Sequence, residues 1–374
     1  MEPNSTPVVT ILNRLEDPTL ELHESHFLTF GDDILDTVIG LDVIKRNAWL
    51  LNADPLPVGI YHGDSISVGS GPSLDQCTPF LREAQDKVLI VASHSAIPRL
   101  IACGITPHVI CPKERLPDPD KIPLPLPSSV VYAGLPLVPH APDMCSRHYL
   151  VGDVGKVSRW LGISREDIPV STTSGTLSAW IAARMATGTC WLVGHDLAQG
   201  HYAGFAFAEE KQCGSVMCAD GVERASNRVY RQALNELEGM ATMATIVQCA
   251  PGGAVIKGAE SKPLAPRLGD KPCLQPRPVD RTATNGTRIG QMGQIIRQAV
   301  ERAEKATDAN GLVVGALFDP EDHQLGQVLL QTVYLSISVL RRTLPLTEPQ
   351  AFAMLRDAIL NSFRSLQYWA DHGS

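Results

Sequence analysis

No stretch of the 374-residue chain approaches 18 consecutive apolar residues, which argues against a membrane-spanning helix. The opening Met1-Glu-Pro-Asn-Ser-Thr-Pro7 lacks the basic-then-apolar order of a secretory signal, so a cytoplasmic protein is expected. Cysteines are few and odd in number, nine at irregular spacings, and outline neither a disulfide framework nor a zinc ribbon. Basic charge is also short. A net charge of −8 opposes nucleic-acid binding through phosphate contacts, and 5% aromatic content supplies no base-stacking surface. Missing too are a Gly-Lys-Ser/Thr phosphate loop, a Gly-x-Ser-x-Gly nucleophile elbow and a His-Glu-x-x-His zinc motif.

What remains is 44% hydrophobic, enough for one large or two modest cores. Residues 56–265 alternate β-rich runs with helical stretches, the pattern of an α/β protein. The expected architecture is Rossmann-like, a mostly parallel sheet with helices on both faces, plus a C-terminal helical region. Strands are expected at Val58–Val68, Val88–Ala92, Val109–Cys111, Val130–Ala133, Thr189–Val193 and Thr245–Cys249. Residues 1–55 form an N-terminal segment with an amphipathic helix expected around Asp33–Leu51. The proline-rich stretch Leu116–Pro127 reads as an extended surface loop. Residues 266–286, rich in Pro, Gly, Arg and Thr, read as a linker, and 287–374 as helices with apolar residues every three to four positions. That tail is expected to bundle on the sheet or on a second copy of the chain.

Two turns carry candidate chemistry. Gly69-Ser70-Gly71-Pro72-Ser73-Leu74-Asp75 follows an apolar run and opens a helix. Its glycines permit a tight turn, Pro72 suits the first helical turn, and helix-start N–H groups attract phosphate. Leu74 stands where a dinucleotide fingerprint has its third glycine, and Ser93-His94-Ser95 lacks the acidic residue that holds a ribose. Ser171-Thr172-Thr173-Ser174-Gly175-Thr176 opens a second helix, either as an anion-binding start or as an ordinary N-cap. A following strand ends in Gly194-His195-Asp196-Leu197-Ala198, at the carboxyl edge where parallel sheets hold ligands. His94, His195 and His201 lie near these turns, and imidazole is the usual base near neutral pH. No metal-ligand spacing is apparent.

In order, Gly69–Asp75, His94–Ile97, Gly104–Pro107 with Glu114-Arg115, Thr173–Gly175, Gly194–Ala198 and Gly252–Gly258 resemble the bacterial motility accessory factors. These are flagellin glycosyltransferases whose central domain is shared with archaeal 6-hydroxymethylpterin pyrophosphokinases. The glycine-proline turn and the Thr-Ser-Gly helix start are also similar to those of bacterial CMP-sialic acid transferases. The resemblance spans about residues 56–265. It implies transfer of a sialic, pseudaminic or legionaminic type sugar from a CMP-sugar donor to a hydroxyl of a protein, flagellin among them, or of a glycan. It places Gly69, Ser70, Gly71, Pro72, Ser73, Ser93 and His94 in the nucleotide site, with Thr173, Ser174 and Gly175 on the phosphate or cytidine. Glu114 and Asp196 fall at its acidic positions, for acceptor orientation or a metal such as Mg²⁺, and His201 or His195 is the candidate base. Departures are His195 for a common Gln, His108 for a common Asp, and Ala225-Ser226 for threonines. Alternatives are diphosphate transfer from ATP with Mg²⁺ to a pterin alcohol, or a non-catalytic binding or assembly protein.

Overall fold

The computed structural model describes residues 47–113, 126–134, 138, 141–151, 173–198 and 214–280, with a few isolated positions beyond. The chain divides into two compact units, one of Asn47–Val154 and Arg165–Ala283, the other of Met1–Arg46, Gly155–Ser164 and Thr284–Ser374. The expected helix at Asp33–Leu51 lies mostly outside the described residues, and its end is a short 3₁₀ turn, Ala48–Asn52. The proline-rich loop and the C-terminal helices lie almost wholly outside them.

In the first-named unit the strands are β1 (Asp54–Pro55), β2 (Ser65–Val68), β3 (Leu89–Ser93), β4 (Val109–Cys111), β5 (Val131–Gly134), β6 (Arg147–Leu150), β7 (Cys190–Val193), β10 (Ile246–Gln248) and β11 (Glu260–Ser261). They form one sheet in the order β1-β6-β5-β4-β3-β2-β7-β10-β11, every pair parallel. The fold is therefore α/β and Rossmann-like, as expected. A hairpin of β8 (Ser215–Met217) and β9 (Glu223–Ala225) stands apart from it. The helices are α1 (Leu74–Ala84), α2 (Ile97–Ala102), α3 (Ser174–Met185) and α4 (Arg228–Ala241).

Central strands buried on both faces read as continuous apolar runs, and β3 and β4 do so. Alternation then sorts the faces. Leu89, Val91, Val109, Val131, Cys190, Leu192 and Ile246 join Leu177, Ile181 and Met185 of α3 and Leu237 and Met240 of α4 in one core cluster. Ile66, Ile90 and Tyr132, all fully buried, point to the opposite face, where the apolar stripes of α1 and α2 are buried. From β2 the chain winds outward through β3, β4, β5 and β6, then returns through α3 to β7 on the other flank of β2. The reversal between β2 and β7 is a topological switch point, where open α/β sheets bind ligands.

Two expectations change. Only Ser65–Val68 of the expected Val58–Val68 strand pairs with β3, because Gly59 adopts φ +60° and Asp64 turns its carboxylate to other partners. The described part of the expected linker is a strap. Residues 262–280 visit the strand starts in sheet order: Arg267 N–H donates to Asp64, Gly269 N–H to the Lys87 carbonyl, and Arg147 to the Leu274 carbonyl. Finally Arg277 pairs with Asp54 at 2.5 Å. Proline suits this path because an extended chain with no ladder to donate to loses nothing by lacking N–H groups.

Candidate functional site

The site is built where the carboxyl ends of β2 and β7 meet. Gly69 N–H donates to the Val193 carbonyl and Gly71 N–H to the Gly194 carbonyl, each at 2.8 Å. A Cβ on Gly194 would lie 2.8 Å from the Gly69 carbonyl carbon, and one on Gly69 would lie 3.0 Å from that of Gly194. The glycines thus serve an approach of two backbones to each other. Ser73 Oγ donates to Asp196 Oδ2 at 2.8 Å and accepts from Gly194 N–H at 3.2 Å, while Ser73 N–H reaches the same carboxylate oxygen at 3.3 Å. Asp196 is 7% exposed. Burial raises its pKa, and the Ser73 hydrogen bonds oppose that rise. Its carboxylate caps α1, where the helix dipole favours negative charge.

His195 joins the two turns. Its ring lies 3.4 Å from where a Gly69 Cβ would sit and 3.5 Å from where a Gly175 Cβ would sit. The turns around positions 70 and 174 therefore pack against one imidazole. His195 Nε2 is 2.9 Å from Ser67 Oγ, which is 2.8 Å from Ser178 Oγ; Ser178 in turn donates to the Gly175 carbonyl at 2.7 Å. Burial drives the His195 pKa down to about 4, against the opposing bond to the Ser67 backbone. A ring so enclosed is neutral at pH 7 and holds the start of α3 in place, a positioning role. Ser67 and Ser178 were not singled out in the sequence, although a serine alternating with isoleucine and valine in a central strand is a legible signal.

That burial has a pH consequence. Unfolded histidine takes up a proton near 6.5, whereas folded His195 stays neutral until about 4. Stability is complete above pH 6.5 and is lost as pH falls toward 4, by about 3 kcal/mol for a ring shifted this far. The raised Asp196 carboxyl acts in the opposite sense, since acid relieves its burial. Urea midpoints at pH 7 and 4.5 should show a drop that shrinks in His195→Gln; identical drops in both proteins would refute a buried neutral ring.

At α3 the alternative of an ordinary N-cap is partly realised. Thr173 Oγ1 accepts from Thr176 N–H at 3.0 Å and Thr176 Oγ1 from Thr173 N–H at 3.2 Å, a reciprocal capping box. Leu177 N–H bonds the Thr173 carbonyl. The N–H groups of Ser174 and Gly175 have no acceptor among the described residues, as the first turn of a helix dictates. On the same face of the sheet as α3, at the end of β3, Ser93 is 1% exposed and its Oγ meets no hydrogen-bond partner among the described residues. A buried hydroxyl without a partner costs about 1–3 kcal/mol, which a ligand oxygen would recover. His94 is buried beside it, and Ser95 Oγ donates to Ser70 Oγ at 2.8 Å. Glu114 and His201 lie outside the described residues. Among the described residues no cluster of metal-ligating side chains occurs.

The β7 loop is over-determined. Ala254 N–H donates to the Asp196 carbonyl at 2.7 Å and Ser226 Oγ to the Leu197 carbonyl at 3.0 Å, holding Leu197 at φ +51°. Ser226, at a departure from the resembled pattern, still supplies a hydroxyl. His108, at another, accepts the Ile90 N–H through Nδ1 at 3.1 Å.

Residues 44–201 match the family described as 6-hydroxymethylpterin diphosphokinase MptE-like. This region is similar to the MptE-like family. A solved structure, the Maf glycosyltransferase from Magnetospirillum magneticum, superposes with a TM-score of 0.63 at 17% identity. The alignment covers 90% of this chain and 60% of that one, so the chain spans about three fifths of that relative's length. No curated protein sequence matches the chain. The MptE-like region contains β2 through β7, hence the switch point and both helix starts.

Proposed function

We propose that the chain is a glycosyltransferase that moves a nonulosonic acid from its CMP ester to a hydroxyl of a protein or glycan, with a flagellin-like protein as the acceptor suggested by resemblance. The observation that carries this reading is that, among the described residues, the Ser174 and Gly175 amides opening α3 and the buried Ser93 hydroxyl on the same face of the sheet meet no hydrogen-bond partner. Three such donors at the carboxyl edge of one sheet suit a phosphate group. In the transfer the bond from the sugar's anomeric carbon to the phosphate oxygen breaks and CMP leaves with the electron pair. The acceptor oxygen bonds that carbon, and its proton passes to a base. Donors fixed on the departing phosphate stabilise the charge it gains. His201 and Glu114 remain the candidates to face the acceptor. The fold likeness to a Maf glycosyltransferase supports the reaction class.

The family description favours a second reading, diphosphate transfer from ATP with Mg²⁺ to a pterin alcohol. A thermal-shift series with CMP, CDP, UDP, ADP and ATP, with and without Mg²⁺, separates the two. Saturation to one hundred times Kd stabilises by about 2.7 kcal/mol, a Tm rise of several degrees. Stabilisation by CMP supports glycosyl transfer; stabilisation by ATP with Mg²⁺, and AMP release on adding the pterin, supports the second reading. Ser93→Ala is expected to be as stable as the wild type without nucleotide and to bind CMP roughly 10- to 100-fold more weakly. Unchanged CMP affinity in that variant would overturn the site assignment.

A further inference from the structure

We infer that Asp196 is a resident anion, filling the phosphate position at the start of α1 and thereby setting the crevice to accept one phosphate and reject two or three. The inference rests on the nucleotide reading above and adds to it a specificity-determining residue.

At the β2–α1 turn, a helix start following two glycines would ordinarily cradle a phosphate. Here the cradle is occupied from within the chain. Asp196 Oδ2 accepts from Ser73 Oγ at 2.8 Å and from Ser73 N–H at 3.3 Å. Its carboxyl carbon lies 2.8 Å from where a Cβ on Gly71 would sit, so the carboxylate rests against the turn's backbone. Four further amides of the turn are spent: Gly69 N–H on Val193, Gly71 N–H on Gly194, Leu74 N–H on Gly71 and Asp75 N–H on Pro72, while Pro72 has none. The carboxylate is held there by the loop, since Gly71 N–H bonds the Gly194 carbonyl before it and Ala254 and Ser226 bond the Asp196 and Leu197 carbonyls at and after it.

The consequence is electrostatic. The two helix starts are neighbours across His195, one whose Ser174 and Gly175 amides meet no acceptor among the described residues and one already holding the Asp196 carboxyl group. A phosphate on α3 faces donors, but a second phosphate reaching toward α1 meets a buried carboxylate in a poorly screened setting. Added phosphates usually add affinity at helix starts; in this crevice they subtract it.

The test measures binding of CMP, CDP, CTP, inorganic phosphate and inorganic pyrophosphate to the full chain, wild type and Asp196→Asn, by calorimetry and thermal shift. Wild type is expected to bind CMP at least tenfold more tightly than CDP or CTP and to gain no more stability from pyrophosphate than from phosphate. Asp196→Asn keeps the side chain's volume, removes its charge, and should lose that discrimination by tenfold or more. Wild type binding CDP as tightly as CMP overturns the proposal without any variant, so poor folding of Asp196→Asn does not leave it undecided. Should no nucleotide bind, pyrophosphate stabilising the variant alone would uphold the resident anion while the CMP reading falls. CMP binding with identical discrimination in both proteins would do the reverse.

Discussion

Gly194→Ala is expected to leave little or no folded protein. The residue holds φ +69°, a region that costs an L-residue about 1–2 kcal/mol. Its new Cβ would lie 2.8 Å from the Gly69 carbonyl carbon and closer still to the oxygen. Neither neighbour is a flexible side-chain end. Gly69 is bound through its N–H to Val193, and the adjoining turn through Gly71 to the residue being mutated. Relief requires parting β2 from β7, two neighbouring interior strands paired along their whole length. A loss above about 4 kcal/mol follows, large against a typical total stability of 5–15 kcal/mol. Gly239→Ala provides the contrast. It sits inside α4, where among the described residues nothing beyond the helix's own backbone lies within 4 Å of the added methyl, and it should gain about 0.5–1 kcal/mol. Urea unfolding of both variants checks the pair; a Gly194→Ala protein within 1 kcal/mol of wild type would mean the two loops are not in contact.

The legible and illegible parts of this molecule differ in range. Val88–Ala92 and Val109–Cys111 announced β3 and β4 because a strand buried on both faces must be apolar throughout. The two helix starts were legible for the same local reason, since glycine, proline and hydroxyl residues act on backbone within a few positions. Strands of two to four residues at the sheet's edges, such as β1 and β11, are too short to carry a period. Function at the site was least legible. The bond from Ser73 to Asp196 joins residues 123 apart, and only that bond reveals that one helix start is already filled. The isolation of the Ser93 hydroxyl is likewise a property of what surrounds it in space. The strap misled because proline and arginine describe a flexible linker and an extended, well-fastened segment equally well; Arg277 finds Asp54 across 223 residues.

Asp64→Ala is the second large effect, and it probes the opposite, amino-terminal edge of the sheet. Asp64 is 7% exposed and its carboxylate accepts three bonds: Thr189 N–H at 3.0 Å, Trp191 Nε1–H at 3.0 Å and Arg267 N–H at 2.8 Å. It thus joins the chain ahead of β2, the entry to β7 and the strap through one side chain. Alanine strands all three donors, and each buried donor left unsatisfied costs about 1–3 kcal/mol. A total loss of roughly 3–6 kcal/mol is expected, since water can reach some of the vacated space. Asparagine should lose about half as much on the same reasoning: turned with its oxygen at the Oδ2 position it keeps Trp191 and Arg267, but sets its amide against Thr189 N–H. Because Arg267 is the strap's first fastening on β2, Asp64→Ala should also expose residues 262–280 to limited proteolysis before the sheet unfolds. A variant that loses stability with its strap still protected would assign the energy to Thr189 and Trp191 alone. Wild-type stability together with a protected strap would refute the fastening altogether.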